Sequence, residues 1–357
     1  MKKLIFLPNG HGEDLVAAEI IKLLPNTLDI TVLPLVGDGK LFDALPVKVI
    51  GPRKKMPSGG FSARNLWTLP LDLYSGLFGT LREQWKILEE NRGKFDLIVG
   101  IGDGIPLWAA RKLKCPFIFI GVNKSDYYHT FGYNYTPWEK WMLKSAVKVY
   151  ARDRVTAEHL KAEYAGNPLM DTIGIPGLLY REQEVKRVVG FLPGTREADV
   201  PKNLEDFERI LKVLQQLDRN FKFLIALKQP KLLVGPTPFE VRPFADVIYG
   251  SDIVIGLSGT GNEQAAGLGK PIVSFPGRGA QYSRRFARAQ RELLDGGLAL
   301  VERDPKKVAD EVWEILTDQG RYNYMSREGK LRMGEAGAIP KISRDIIGLL
   351  HDKISVA

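Results

Sequence analysis

The chain has 357 residues, 44% apolar and 26% charged, the composition of an ordinary globular protein long enough for two cores of roughly 150–200 residues each. One cysteine, Cys115, excludes an internal disulfide and fits a reducing compartment. A net charge of +9 asks for an anionic partner, but with no RNA-binding sheet motif, zinc-finger spacing or long basic tract, nucleic acid is set aside.

The chain opens "KKLIFLPNGHGEDLVAAEIIKLL". An apolar strand at 3–7 runs into a glycine-rich bend, with Asn9 as a capping candidate, and a helix follows at 14–24. Free backbone N–H groups at a helix start attract anions, yet Glu13 and Asp14 stand there and repel a phosphate. Further strands are expected at 29–33, 47–50, 97–101, 117–121 and 147–150, with helices at 81–90, 106–112 and 154–165. Their continuous β-branched runs suit strands covered on both faces, hence a parallel sheet. The apolar part of the opening is too short for a secretion signal. Stretch 66–81 is interrupted by Pro70 and Asp72 and falls short of the ~20 clean residues a span needs. No segment is therefore expected to cross a membrane. Segment 53–85 interleaves Arg53, Lys54, Lys55, Arg64 and Arg82 with Trp67, Leu71, Tyr74, Leu77 and Phe78. That mixture predicts an interfacial anchor for an anionic membrane surface.

A second series begins near Val188, with strands at 188–192, 223–227, 247–249, 253–257, 272–275 and 298–301. Its helices are expected at 203–217, 261–268, 283–294 and 305–317, after a polar linker at 180–187. Two last helices, around 322–333 and 339–350, are expected to pack back across the first half. The whole reads as an α/β chain of two doubly wound halves facing a cleft, with ligands at the carboxyl ends of the strands. The expected domains are 1–180 and 181–335, with 336–357 returning to the first.

Two loops of the second half suit phosphate better than the opening loop. In "FLPGTREADV" a strand ends in Pro193-Gly194-Thr195-Arg196. Gly194 permits close backbone approach, Thr195 supplies a hydroxyl and Arg196 a planar fork for phosphate oxygens. In "GLSGTGNEQAAGLGKPIVSFPG" a strand ends in Ser258-Gly259-Thr260-Gly261 and a helix starts at once with no acid in front. Glu263 and Gln264, one turn in, suit ribose hydroxyls. Neither loop is a P-loop or a GxGxxG turn, so a nucleotide is expected and a dinucleotide is not.

Four blocks, "NGHGEDLVAAEI", "GNPLMD", "FLPGTREADV" and "SGTGNEQAAGLGKPIVSFPG", resemble lipid-A-disaccharide synthase, and more closely the proteins called synthase-related. "KSDYYHT" and "GAQYSRRFARAQRELL" resemble the related group. The chain departs from the synthase where His11-Gly12-Glu13 replaces Ser-Gly-Asp, and where Gln264 stands in place of Glu.

The resemblance implies a GT-B glycosyltransferase, a hexosyltransferase moving sugar from a UDP-sugar co-substrate to a lipid acceptor, with no metal or other cofactor. It implies that the C-terminal domain holds the UDP-sugar, through Gly194, Thr195, Arg196, 258–261, Glu263 and Gln264. The opening loop then faces sugar and acceptor, which explains its carboxylates; Gly12, Glu13, Asp14, Lys124 and Asp126 form the acceptor side. Transfer needs a base, and Asp103, just after a strand in "GIGDG", matches the Asp thought to serve in the synthase. His11 is the runner-up, and Asp126 with His129 is a weaker cluster. Such an enzyme is expected in the cytoplasm, at the inner face of the cell membrane. The alternatives are a non-hydrolysing UDP-sugar 2-epimerase and a non-catalytic nucleotide-sugar-binding protein.

Overall fold

Both sheets of the computed structural model are parallel from edge to edge, as strands apolar on both faces require. The structure describes residues 1–53, 77–130, 132–177, 187–218, 220–233, 237–279 and 281–352. Packing divides the chain into two units, Met1–Thr172 with Ala336–Ala357, and Ile173–Glu335. The division falls ahead of the expected break at 180/181, and residues 180–186 of the expected linker lie outside the described residues.

The first sheet contains β1 (Lys3–Pro8), β2 (Asp29–Val32), β3 (Lys48–Val49), β4 (Leu97–Gly102), β5 (Phe117–Gly121) and β6 (Lys148–Tyr150), in the order β3-β2-β1-β4-β5-β6. Its helices are α1 (His11–Lys22), α2 (Leu77–Glu90), α3 (Gly104–Leu113), α4 (Pro137–Leu143) and α5 (Arg154–Leu160). The second sheet contains β7 (Arg187–Leu192), β8 (Phe221–Ile225), β9 (Phe239–Val241), β10 (Ile253–Gly256), β11 (Ile272–Ser274) and β12 (Leu298–Leu300), in the order β12-β11-β10-β7-β8-β9. Its helices are α6 (Val200–Leu217), α7 (Phe244–Gly250), α8 (Gly259–Gly267), α9 (Arg284–Leu294), α10 (Pro305–Thr317) and α11 (Gln319–Met333). The two sheets thus have one topology. In each, strand order reverses beside the first strand, between β1 and β4 and between β7 and β10. Doubly wound sheets bind ligands outside the carboxyl ends of the strands at that reversal.

The last helix, α12 (Ala338–Asp352), belongs to the first unit. It buries Ile339, Ile342, Ile346 and Leu350 in that core, each contributing ~1.5–3 kcal/mol if fully removed from water. Two carboxylates fix it. Asp171 of the "GNPLMD" block accepts from Gly337 N at 2.6 Å and Ile339 N at 2.8 Å, satisfying N–H groups that have no partner within the helix. On the helix itself, Asp345 Oδ2 accepts from Lys148 Nζ and Tyr150 OH, each at 2.6 Å. The preceding helix α11 stays with the second unit, where Tyr322 OH donates to Asp252 O at 3.0 Å; the expectation that both final helices return to the first half is corrected to one.

Three further corrections concern elements. Residues 247–249, expected as a strand, lie in α7, because Phe244, Val247 and Ile248 have i, i+3, i+4 spacing after Pro243. The strand of that region is β9, a three-residue edge strand. Helix α4 has no counterpart in the expected elements, although Thr136 and Glu139 form a capping box at its start.

Candidate functional site

In the second unit, the loops after β7 and β10 lie against each other at the strand reversal. Gly194 has φ +81°, and a Cβ there would sit 3.0 Å from Leu257 O and 2.9 Å from Gln281 Oε1, so the turn accepts only glycine without strain. Asn203 Nδ2 donates to Pro193 O at 2.9 Å and pins the loop to α6. Arg196 N donates to Gln281 Oε1 at 3.4 Å, and Gln281 N donates to the buried carboxylate of Asp199 at 2.9 Å. Thr195 is exposed and Arg196 half-buried at the tip.

Across from it, Ser258 caps α8 and accepts from Gly261 N at 3.3 Å. Ser258 and Gly259 are half-buried, Thr260 is exposed and Gly261 is buried. The first turn of α8 has no acid, so its positive end is unopposed. Two of the expected donor residues face inward: Glu263 and Gln264 are buried, and Glu263 Oε1 accepts from Gln290 Nε2 of α9 at 2.8 Å. Beneath the loop, Asn262 Nδ2 donates to Gly256 O and to Tyr282 OH, at 3.2 and 3.0 Å. Gln281, Asp199 and Asn203 were missed by sequence reasoning. Gln281 was within reach, since it lies inside "GAQYSRRFARAQRELL".

The corresponding corner of the first unit has the opposite chemistry. Asp103 caps α3 and accepts from Ile105 N at 3.2 Å. The same oxygen accepts from Asn9 Nδ2 at 2.9 Å, so Asn9 ties the loop after β1 to the loop after β4 instead of capping its own turn. Asp103 is half-buried and Gly104 follows it. Helix α1 starts three residues earlier than its expected start at 14, so Gly12, Glu13 and Asp14 all lie in its first turn after Gly10. The side chain of His11 lies outside the described residues. Glu13 is buried and accepts from Asn123 Nδ2, beyond the end of β5.

Asp14 is buried as well, and its Oδ1, like Asn9 Oδ1, has no hydrogen-bond partner among the described residues. Burial, then Glu13 and Asp38, push the Asp14 carboxyl up to about 8. Asn9, Glu13, Asp14, Asp103 and Asn123 therefore gather hydroxyl-binding and proton-accepting groups at the ends of β1, β4 and β5, with one carboxyl holding a proton at neutral pH.

Lys124 and Asp126 have partners of their own. Lys124 Nζ is buried in an ion pair with Glu139 at 2.7 Å and donates to Asn134 O at 3.1 Å. Asp126 Oδ2 pairs with His159 Nδ1 of α5 at 2.9 Å, whereas His129 is exposed. Of the expected anchor at 53–85, residues 54–76 lie outside the described residues; Arg53 bonds Asp43 Oδ2 at 2.9 Å and Asp38 O at 2.7 Å. Among the described residues no helix is long and apolar enough to cross a membrane.

No protein-family model matches the chain. It is 26% identical over 225 residues to the lipid-A-disaccharide synthase of Syntrophotalea carbinolica, an overlap of 54% of this chain and 57% of the relative. A second synthase, from Trichlorobacter lovleyi, is 23% identical over 222 residues, and also shares 57% of its length. The chain resembles the lipid-A-disaccharide synthases. It spans little more than half the length of these relatives. Among solved structures, the calicheamicin glycosyltransferase CalG4 superposes with TM-score 0.67 at 16% identity, covering 98% of each chain. The S. aureus MnaA–UDP complex superposes with TM-score 0.63 at 16% identity, covering 97% of this chain and 96% of MnaA. These likenesses, with two parallel six-stranded sheets, establish the GT-B fold.

Proposed function

We propose that the chain is a glycosyltransferase that moves a hexose from a UDP-sugar to a hydroxyl of a lipid acceptor at the cytoplasmic face of a membrane. The observation that carries this is the division of charge between two corners of one topology. The corner of the second unit offers glycine backbone, an arginine and an unopposed helix N-terminus to an anion. The corner of the first unit offers carboxylates and amides to hydroxyls. The resemblance to lipid-A-disaccharide synthases supports a lipid acceptor, and the UDP in the MnaA complex supports a uridine nucleotide.

In this reading Asp103 takes the proton of the acceptor hydroxyl as its oxygen bonds to the anomeric carbon. The bond from that carbon to the diphosphate oxygen breaks, and UDP leaves with the electron pair. Arg196, Thr195 and the start of α8 stabilise the charge that develops on the leaving group. Asn9 holds Asp103 in place through one oxygen. Asp14, raised by burial and by the neighbouring carboxylates, holds its proton at neutral pH, which spares the corner a further buried negative charge.

A panel of UDP-sugars, with and without extracted membrane lipid, tests the proposal. Lipid-dependent UDP release with sugar appearing on lipid is the expected result. Epimerised UDP-sugar without lipid, or UDP binding without turnover, would replace it by the epimerase or the binding-protein reading.

A further inference from the structure

Four tryptophans of the first unit lie on its helices α2, α3 and α4. Trp138 and Trp141 of α4 stack at 4.7 Å, and they are 60% and 48% exposed. The Arg111 guanidinium of α3 lies 4.3 Å above the Trp141 ring. Next to it on α3, the Lys112 ammonium lies 4.1 Å above the ring of Trp85 on α2 and 5.7 Å from Trp108. Trp85 and Trp108 are themselves 5.2 Å apart, and Trp85 is 45% exposed. The indoles and cations therefore form two clusters, Trp138–Trp141–Arg111 and Trp85–Trp108–Lys112, that meet at consecutive residues of α3.

The charge on α3 and α4 is one-sided, whereas α2 carries Arg82 and Lys86 alongside Glu83, Glu89 and Glu90. Helices α3 and α4 and their C-caps carry Arg111, Lys112, Lys114, Lys140 and Lys144. Their one acid, Glu139, is buried against Lys124. Three indoles each about half exposed are not explained by packing among the described residues, and exposed aromatic surface marks an interaction site. Indole rings settle at the level of lipid headgroups, and flanking Lys and Arg extend to anionic phosphates. A polypeptide partner for five cations would need a matching acidic face, whereas an anionic bilayer supplies that charge everywhere.

We infer that the two indole clusters formed by Trp85, Trp108, Trp138 and Trp141, with their rim of lysines and arginine, dock the protein onto an anionic phospholipid bilayer. The site shares Trp85 with the expected segment 53–85, of which residues 54–76 lie outside the described residues, and adds α3 and α4 to it. For its purpose the inference rests on the lipid-acceptor reading, but its assay contains neither donor nor glycolipid, so the two fail separately.

The test uses the full chain and vesicles of phosphatidylglycerol and phosphatidylcholine in equal parts, read by flotation and by quenching of tryptophan emission with brominated lipid. The wild-type protein is expected to float at low salt, with emission blue-shifted and quenched, and to float poorly with phosphatidylcholine alone. Trp138→Ser with Trp141→Ser should lower the partition coefficient by more than roughly tenfold, at an unchanged circular-dichroism melt. Lys140→Glu with Lys144→Glu, which touches no indole, should lower it by about tenfold and flatten its salt dependence. Wild-type protein that does not float overturns the inference. So does binding that survives both double variants and is lost on Trp67→Ser. A self-association abolished by Trp138→Ser with Trp141→Ser, at unaltered flotation, would assign the indoles to a second copy of the chain and likewise overturn it.

Discussion

The two strand reversals of this molecule occupy equivalent places in sheets of the same topology, and they carry opposite chemistry. After β7 and β10 the loops carry glycine, hydroxyls and Arg196, with Glu197 bonded to Gln229, Asp199 buried against Gln281 N, and no acid in the first turn of α8. After β1 and β4 they carry Asp103, Glu13 and Asp14, the last two in the first turn of α1. The helix dipole is the same in both places. At α8 it is left open to an outside anion, and at α1 it is met by the protein's own carboxylates. The chemical character of a doubly wound corner is thus set by a handful of side chains on a common backbone.

Breaking the acidic corner has the largest expected effect. Asp103→Asn should cut turnover by ~10²–10⁴ while UDP affinity, measured by calorimetry, stays near wild type. An equal collapse of UDP binding would move Asp103 to the donor side and erase the contrast. Breaking the other corner with Arg196→Ala removes a charge-assisted contact of ~1.5–3 kcal/mol and should weaken UDP binding by about ten- to a hundredfold.

A third change sharpens the contrast through pH. The Asp14 carboxyl titrates near 8 in the folded protein and near ~3.9 when unfolded. Between those values the native state holds a proton that the unfolded chain lacks. Stability from this group is therefore full below pH ~4 and declines as pH rises, by at most ~1.4 kcal/mol per unit, until it is gone above about 8. Asp14→Asn should remove that decline, so urea midpoints of the variant gain on the wild type steadily from pH 5 to 8. A constant difference across that range would mean that Asp14 is ionised in the folded protein. The smallest effect belongs to a carboxylate in neither corner. Asp171→Ala should cost ~1–2 kcal/mol through the lost cap of α12, with UDP affinity unchanged.

Most of the architecture was readable because the strands are short, apolar throughout and separated by amphipathic helices. β5 and α10 match their expected bounds, and most other elements differ by a few residues. The errors share a physical cause. Three apolar residues at 247–249 fit either period, and β9 is too short to show one. The glycine and arginine loops were legible because a sharp turn next to a helix start limits which residue types fit. The partners of the site residues were not, since Asn9 to Asp103, Asn123 to Glu13 and Gln281 to Gly194 are juxtapositions made by the sheet across long separations in sequence. The burial that raises Asp14 is likewise a property of the packed loops.

The central claim is tested most directly by hydrogen exchange of the full chain with and without saturating UDP. The account predicts slowed exchange at 193–196 and 257–261, and unchanged exchange at 9–14 and 102–105. Protection confined to 9–14, with none at 193–196 or 257–261, would contradict it.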